Sequence, residues 1–598
     1  MSGIVGIIDL RTGSIDEQRL DVMCRAMAYW KPARLAAGSL QSFQHDDEQD
    51  AAECAQSLPD GGWLVASGRI DNRVALAAKL AIHLREVDQL DDQGLIARAY
   101  LRWGEACVAQ MYGDWSFAVW KPQQRRLFLA RDHNGNTSLY YHERDGRIAF
   151  ASSRKALLAL DEPSIRTIDD LFIARVLLAL PAHQGGSTVH PAIHRLPPAH
   201  TLTASVGELH LHQYWNPELI VRHPFDSIEE AAEGFLPVFD EAVKCRMRTK
   251  GAIAVTLSGG LDSGSIAATA ARFARQSGQK LAAYTAVPCG KTAEDASRRV
   301  GDEWWLASAT ATHAKISRHR PIPAEAITPL DGLRWYLWAH DEPQHSVANA
   351  YWIMALQRTA RADGCKVLLN GQGGDVSISW SAATPPEHPA PGAFRRVARR
   401  LVNGAMQRRW AVRTNAAWLK HVDPLRRSAA IHPDLARRVE SAGWPQAAES
   451  FGRKILLGSL HAEDGAALDI DVRDPTLDVR VLSYCLSVPE HLLVDAADGD
   501  RMLIRTAMKS RLPDMVRLNQ KRGLHAPDLC SRLRADSYTM DACLDELEAG
   551  PANDYLDLAR LRKSWRVVTQ EHDRGGFREA SDVLMRSVMA GLFVNQSV

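Results

Sequence analysis

The chain has 598 residues, 46% apolar and 24% charged, which is enough for two or more domains with full cores, and its net charge of +1 gives no global field for nucleic acid or an anionic membrane. No apolar run approaches the roughly 20 residues of a membrane span, and Met1-Ser-Gly-Ile-Val-Gly-Ile-Ile8 lacks the basic region and cleavage site of a secretory signal, so the expectation is a cytoplasmic protein with neither membrane nor nucleic acid as partner. The nine cysteines, at 24, 54, 107, 245, 289, 365, 485, 530 and 543, contain no Cys-x-x-Cys pair and signal neither a disulfide framework nor a zinc site.

The first 210 residues read as strand-rich. Ile4 to Asp9 is an apolar strand, and Trp63 to Asn72 is another that ends in a polar turn. Asp114–Trp120 and Arg126–Arg131 form a hairpin across Lys-Pro-Gln-Gln, and Ser138–Tyr141 with Ile148–Ala151 form a second around Arg144-Asp-Gly146. The period then changes. Ser227 to Thr249 carries Ala231, Phe235, Val238, Phe239, Ala242 and Val243 at helical spacing.

Gly251 to Ser265 reads as a short strand, a turn of small residues and the start of a helix. Ser258, Gly259, Gly260 and Ser263 let the backbone curl, so that N–H groups and hydroxyls converge at a helix N-terminus, a setting that suits a phosphate or pyrophosphate. Asp262 adds a carboxylate, which makes sense if a hard cation such as Mg²⁺ bridges it to phosphate oxygens. No Gly-Lys-Ser/Thr closes the turn, so it is not a Walker loop.

Lys280–Pro288 reads as the next parallel strand, ending where an open α/β sheet meets its nucleotide. Asp302–Ala307 starts a helix, and Leu333–His340 is a helix ahead of Asp341-Glu-Pro343, which is either a helix stop or a functional acidic turn. Lys366–Asp375 is a strand ending in a glycine-rich turn, and Asp375 is expected to meet the metal that Asp262 holds. From 376 to 460 a Pro/Ala-rich stretch leads into arginine-clustered amphipathic segments at Phe394–Val402 and Arg408–Arg413, with Arg426-Arg427 and Arg437-Arg438 beyond; these are solvated faces or a docking surface for a peptide or partner. Leu503–Met508 is helical, Asn519–Leu524 is a basic turn, and the chain after residue 530 is helical and charged.

Leu257-Ser-Gly-Gly-Leu-Asp-Ser263 matches the SGGxDS loop of N-type ATP pyrophosphatases, in the form found in the asparagine synthetase family. The N-terminal half resembles that family's glutaminase domain through its Met-x-Gly-Ile-Val-Gly start, Gly113–Phe117, Leu129–Asp132 with Gly135, Leu139–Tyr141 and Ala151–Lys155. The resemblance implies an α+β N-terminal Ntn-hydrolase-like sandwich over 1–210. It also implies an α/β parallel-sheet ATP pyrophosphatase domain over 211–598, with the basic helical insert 376–460. It further implies cleavage of ATP to AMP and pyrophosphate while a carboxylate is adenylated, with ATP and Mg²⁺ as cofactors. Leu257, Ser258, Gly259, Gly260, Leu261, Asp262, Ser263, Val287, Asn370, Gly371 and Lys521 are then the ATP or pyrophosphate contacts, Asp262 and Asp375 the metal ligands, and Lys521 the catalytic cation for the leaving pyrophosphate.

The departures from the family's pattern matter as much. Position 2 is Ser where working glutaminases have the nucleophilic Cys, the family's Arg-Gly-Pro-Asp is replaced near Tyr29–Ala33, and its Asn-Gly oxyanion pair is Ser67-Gly68, with Asn72 further on. An inactive glutaminase-like domain is expected. Gln372 stands where asparagine synthetases have Glu and β-lactam-forming relatives a Tyr, Val376 replaces a Glu, and Asp471 stands at a Glu that orients that Tyr. Asp471 is therefore an acid/base or orienting carboxylate, or the partner of Arg473 or Arg480 in an ion pair. The pattern resembles lasso peptide macrolactam synthetases most, with an ammonia-using asparagine synthetase or a β-lactam or carbapenam synthetase as alternatives and a non-catalytic binding homologue as a third. The implied substrate is a leader-freed core peptide whose Asp or Glu side chain is joined to its N-terminal amine, and a precursor-processing protease is a candidate partner.

Overall fold

A computed structural model of the chain describes residues 3–30, 32–34, 55–180, 182–183, 185–289, 292, 299–344, 347–380, 429–442, 457–495, 499–570 and 574–597. Position 2 and the segments 394–402, 408–413 and 426–427 lie outside these residues.

The N-terminal half is two stacked sheets. Gly3–Asp9 (β1), Pro32–Arg34 (β2), Gln56–Ser57 (β3), Trp63–Ile70 (β4), Gly113–Lys121 (β5), Arg126–Arg131 (β6), Tyr140–Arg144 (β7), Arg147–Ala151 (β8), His194–Arg195 (β9), His200–Ser205 (β10) and Glu208–Gln213 (β11) pair in the orders β2-β1-β8-β7-β9 and β11-β10-β6-β5-β4-β3. Both expected hairpins are present, as β5–β6 and β7–β8. Alternation sends Ile4, Ile8, Val65, Trp120, Leu127 and Phe150 between the sheets. The helix Glu17–Ala26 covers one outer face through Leu20 and Met23, and Asp92–Trp103 covers the other through Leu95, Ile96 and Ala99.

The second half is built on one parallel sheet. Ala252–Thr256 (β12), Leu281–Ala286 (β13), Arg318–Ile322, Cys365–Leu369 and Asp471–Arg473 pair in parallel, with β12 in the middle and β13 and Cys365–Leu369 on either side. The three central strands, Ala252–Thr256, Leu281–Ala286 and Cys365–Leu369, are nearly continuous apolar runs, as burial on both faces requires. Ile253 and Val255 face Phe235, Phe239 and Ile266, whereas Ala254 faces the core holding Leu330, Leu333 and Tyr351.

The two halves interlock around the expected boundary at residue 210. The hairpin β10–β11 carries the N-terminal sheet to Gln213, and the helix Asp170–Leu177 buries Phe172, Ile173, Val176 and Leu177 in the core of the second half. Of the arginine-rich insert, Pro433–Ala442 is a described helix, and its Arg438 is paired with Asp170 at 2.7 Å, so this arginine serves the chain's own packing.

Two buried charge networks lock the halves together. Arg246, at the end of the helix Ile228–Arg246, reaches Asp71 at 3.3 Å and Asp114 at 3.2 Å in the first half and also bonds Asp478 in the second. Asp71, Cys245 and Asp478 place possible metal-ligand atoms within 4.8 Å of one another, but the Arg246 guanidinium supplies the positive charge these carboxylates face. In the second network His340 is bonded by Glu463 at 2.7 Å and Asp464 at 2.8 Å, while Glu463 also accepts from Ser138 and Tyr140 across the interface. Glu342 is held by Arg154 at 3.0 Å and Arg195 at 2.7 Å. The acidic turn is thus both a helix stop, with Asp341 at φ 50°, and an interdomain anchor, since Asp341 pairs with Lys155 and Glu342 with two arginines of the first half.

Removing one partner from a buried ion pair leaves an uncompensated charge and costs about 3–5 kcal/mol. Arg246→Met is therefore expected to lower stability by about that amount, read as a lower urea midpoint at unchanged slope. Burial opposes a charge on His340, but Asp464 and Glu463 outweigh it and push its pKa up to about 9. A histidine in the unfolded chain titrates near 6.5, so the stabilisation is complete below about pH 6.5 and is lost as pH rises towards 9. The Tm of the wild type is expected to fall across that interval by more than that of His340→Asn, and equal slopes would refute the assignment.

Candidate active site

In the parallel sheet the chain winds from β12 to β13 in one direction and later returns to β12's other edge at Cys365–Leu369. The crevice beyond the carboxyl ends of these two neighbours is where open α/β sheets bind ligands. The turn after β12 is ordered from within. The Ser258 N–H donates to Ser263 Oγ at 3.0 Å, the two hydroxyls are 2.9 Å apart, and the Gly260 N–H donates to Ser258 Oγ at 3.1 Å. The helix Leu261–Ser277 then begins at Gly260 with no side chain capping its first turn, which leaves its N-terminal donors for an anion. Leu257 and Leu261 have another part. Both are buried in the core, and Leu257 is bonded through N–H and carbonyl to Tyr284 and Thr285 of β13, so they anchor the turn. Val287 lies just beyond β13 with its N–H bonded to the Ile322 carbonyl.

The turn Asn370–Asp375 closes onto this loop. A Cβ on Gly374 would sit 2.1 Å from Asp262 Cγ and one on Gly371 would sit 2.9 Å from Ile266 Cδ1, so only glycine permits the approach. Asp262 Oδ2 accepts from Ser379 Oγ at 3.0 Å, whereas its Oδ1 is buried without a partner. Burial and the neighbouring Asp375 push the Asp262 carboxyl up to about 7. Asp375 is exposed and 3.5 Å from the guanidinium of Arg501. An orphaned carboxylate oxygen with a second carboxylate nearby fits a divalent cation shared by Asp262 and Asp375, and the cation would neutralise phosphate charge there.

The third wall is Arg522–Gly523, paired in parallel with Arg299–Val300. Gly523 packs on Glu303, whose carboxylate also faces Gly259, and burial pushes Glu303 up to about 7. Lys521 precedes this strand, is exposed, and has its backbone N–H fixed by Asn519 Oδ1 at 2.9 Å. The pyrophosphate loop, the Asn370–Asp375 turn and the Lys521–Gly523 segment are thus linked through Asp262, Gly374, Glu303 and Gly523.

Asp471 stands apart from this crevice. Its Oδ2 accepts from Arg473 Nε at 2.8 Å and Nη2 at 2.6 Å, and Arg473 also bonds the carbonyls of Arg246 and Arg248 at the end of a helix. Burial works against the charge, yet Arg473 and Arg69 hold the Asp471 carboxyl below the usual range. The ion pair is therefore with Arg473; Arg480 instead pairs with Asp478. A carboxylate so held is a weak base.

Four residues that the sequence motifs did not single out border the site: Ser379, Glu303, Arg501 and His461. His461 lies on the helix Leu457–Leu468, buried, with Nε2 2.6 Å from Gln372 Oε1 and 3.3 Å from Asn370 Nδ2. None sits at a recognisable motif spacing, and the helix bearing His461 begins inside the stretch that reads as an insert.

In the first half, Gly68 takes φ 116° because a Cβ would lie 2.1 Å from the Asp114 carbonyl oxygen. Asn72 is committed to the backbone of Gln110 and Tyr112. Asp114 is bonded by Arg69, Asn136 and Arg246. A cavity of about 270 Å³ between the halves is lined by Trp30, Ser67, Gly68, Asp114, Asp471 and Arg473, among others.

Comparison with known proteins agrees with this layout. Residues 234–590, more than half of the chain, match the family model described as asparagine synthase, and residues 1–215 match a glutamine amidotransferase domain. The chain is 29% identical over 290 residues to asparagine synthetase [glutamine-hydrolyzing] 3 of Bacillus subtilis, covering 47% of each protein. It is 27% identical over 342 residues to amidase chyE of Penicillium rubens, covering 55% of this chain and 49% of that one. It is also 24% identical over 483 residues to asparagine synthetase [glutamine-hydrolyzing] 2 of Bacillus subtilis, covering 76% and 61%. The chain spans about half the length of the first two relatives. With an antiparallel two-sheet domain ahead of a parallel-sheet domain, each matched by its own model, the chain belongs to the asparagine synthase family.

Proposed function

We propose that this protein is an ATP-dependent amide ligase that closes a macrolactam, a lasso peptide cyclase. In this reading a side-chain carboxylate oxygen of a leader-freed core peptide attacks the α-phosphorus of ATP and pyrophosphate leaves. The peptide's N-terminal amine then attacks the acyl carbon and AMP leaves. The observation that carries the ATP chemistry is the orphaned Asp262 Oδ1 beneath Gly374, beside an uncapped helix start. In this reading Ser258, Gly259, Gly260, Ser263, Asn370 and Gly371 would hold the phosphates, Asp262 and Asp375 the Mg²⁺, and Lys521 would meet the charge that builds on the pyrophosphate.

A nucleophile other than glutamine-derived ammonia is supported by the state of the first half. Asp114, next to the Ser67-Gly68 pair, already bonds three side chains, one of them the Arg246 that holds the halves together. Gln372, where a carboxylate would serve an asparagine synthetase, supports a peptide substrate over aspartate. The amine must lose a proton, and with Asp471 tied to Arg473 that proton goes to water or to the phosphate oxygens of the departing AMP. A precursor-processing protease is the partner this reading implies, because the attacking amine must first be freed.

Incubation with ATP, Mg²⁺ and a linear core peptide is expected to give AMP, pyrophosphate and a product lighter by one water, whereas aspartate with ammonium gives none. Formation of asparagine would sink the cyclase reading. Gly374→Ala and Asp262→Asn are each expected to lower peptide-dependent AMP formation by about 100- to 1000-fold, the scale of losing one electrostatic element of a transition state. Circular dichroism should stay close to wild type in both, with the Tm kept in Asp262→Asn and lowered by overpacking in Gly374→Ala; full activity in Asp262→Asn would remove Asp262 from the site.

A further inference from the structure

The turn Asn370–Asp375 is pinned on both sides of Gln372. Gly371 packs on the start of the helix Leu261–Ser277, and the Gly373 N–H donates to Asp474 Oδ2 at 2.8 Å while Gly373 lies on Leu477 and Thr476. Gln372 and Asp375 are the two exposed residues of this turn, and Asp375 borders the Asp262 carboxylate. Gln372 is therefore displayed at the mouth of the crevice, and among the described residues its amide oxygen is held by His461 behind it at 2.6 Å.

One ring nitrogen cannot both donate to Gln372 and accept from Asn370. The contact to Gln372, at 2.6 Å against 3.3 Å, decides in favour of His461 Nε2 as donor. Burial first, and then the charge on His340, lower the His461 pKa to about 4 against a smaller opposing pull from Asp114, so the ring is neutral. Glu463 and Asp464, on the same helix, are turned to His340.

We propose that His461 is a positioning residue: as its neutral Nε2–H tautomer it holds the Gln372 amide oxygen, so that the Gln372 NH₂ group is presented to the carboxylate that the enzyme activates. The proposal rests on the carboxylate-activating function above and deepens it by naming a specificity element. A fixed, uncharged amide offers two donors, which suits an anionic acyl donor entering beside two further carboxylates.

Two measurements test it. In protein labelled with ¹⁵N-histidine, with His461→Gln identifying the resonance, His461 should stay the neutral Nε2–H tautomer between about pH 5 and pH 8, and Gln372→Glu should make it cationic in that range. A cationic ring or the Nδ1–H tautomer in the wild type would overturn the pairing. With a synthetic linear peptide bearing a free N-terminal amine and one internal aspartate, His461→Leu should raise the peptide KM in pyrophosphate exchange about 10- to 100-fold. The ATP KM should be unmoved, and His461→Gln, which keeps a donor, should restore exchange to within about threefold. A matching loss in ATP KM, or no rescue, would mean the residue merely supports the fold. If the wild type exchanges pyrophosphate with no carboxylate, the proposed function fails, while the spectra still judge the His461–Gln372 pair.

Discussion

The close approach of two glycine-bearing turns is the constraint on which the site depends. Asp262 can lie buried with one oxygen unbonded only because Gly374 has no side chain to fill the space above it, and a buried polar atom without a partner is costly unless something else completes it. The raised pKa of Asp262 expresses the same fact from the side of the proton. The crevice has an unmet need for positive charge, and Arg501, about 3.5 Å from Asp375, meets it only in part. That need is what an enzyme handling a polyphosphate and a divalent cation uses, since the groups that stabilise the ligand are in place before it arrives.

How far the sequence allowed this to be read follows from where the determinants lie. The loop Leu257–Ser263, the turn Asn370–Asp375 and Lys521 are contiguous runs of special residues, glycines where no Cβ fits and carboxylates at strand ends, so local spacing betrays them. The hairpins β5–β6 and β7–β8 and the three central parallel strands were legible for the same reason, because period and turn chemistry are local, whereas Arg318–Ile322 and Asp471–Arg473 carry no such pattern. His461, Glu303 and Arg501 were not. Each reaches the crevice from an element whose own pattern is that of an ordinary helix or strand end, and only the packing of Leu457–Leu468 on the strand Asp471–Arg473, which pairs with Cys365–Leu369, brings His461 to Gln372. Asp471 shows the converse: its motif position left a functional carboxylate and an ion pair with Arg473 or Arg480 both open, and the structure shows the pair with Arg473.

The division into two domains was also legible only in outline. A boundary read from composition assumes that each half buries its own apolar face, yet Asp170–Leu177 buries Phe172 and Val176 in the other half's core. The charges follow the same rule. Tyr140, Arg154 and Arg195 of the first half face Glu463 and Glu342 of the second, which complete across the interface the bonds they make to His340 and Gln344 in their own half. Buried ion pairs contribute less to stability than equivalent apolar packing, but breaking one is expensive, so such networks fix a single docking geometry more than they tighten it.

This explains why a glutaminase-like half without a glutaminase's nucleophile can still be needed. Arg246 bridges Asp71 and Asp114 on one side and Asp478 on the other, and the strand Asp471–Arg473 just before Asp478 pairs with Cys365–Leu369, the strand that ends in the Asn370–Asp375 turn. The Asn370 N–H is itself bonded to the Arg473 carbonyl at 3.0 Å. Arg473 also bonds the Arg246 carbonyl at 2.7 Å, so it joins the charge network between the halves directly to the turn that closes on Asp262. The first half is in this way part of the wall that holds the other half's carboxylates in register, and loosening it should act on the crevice through this strand.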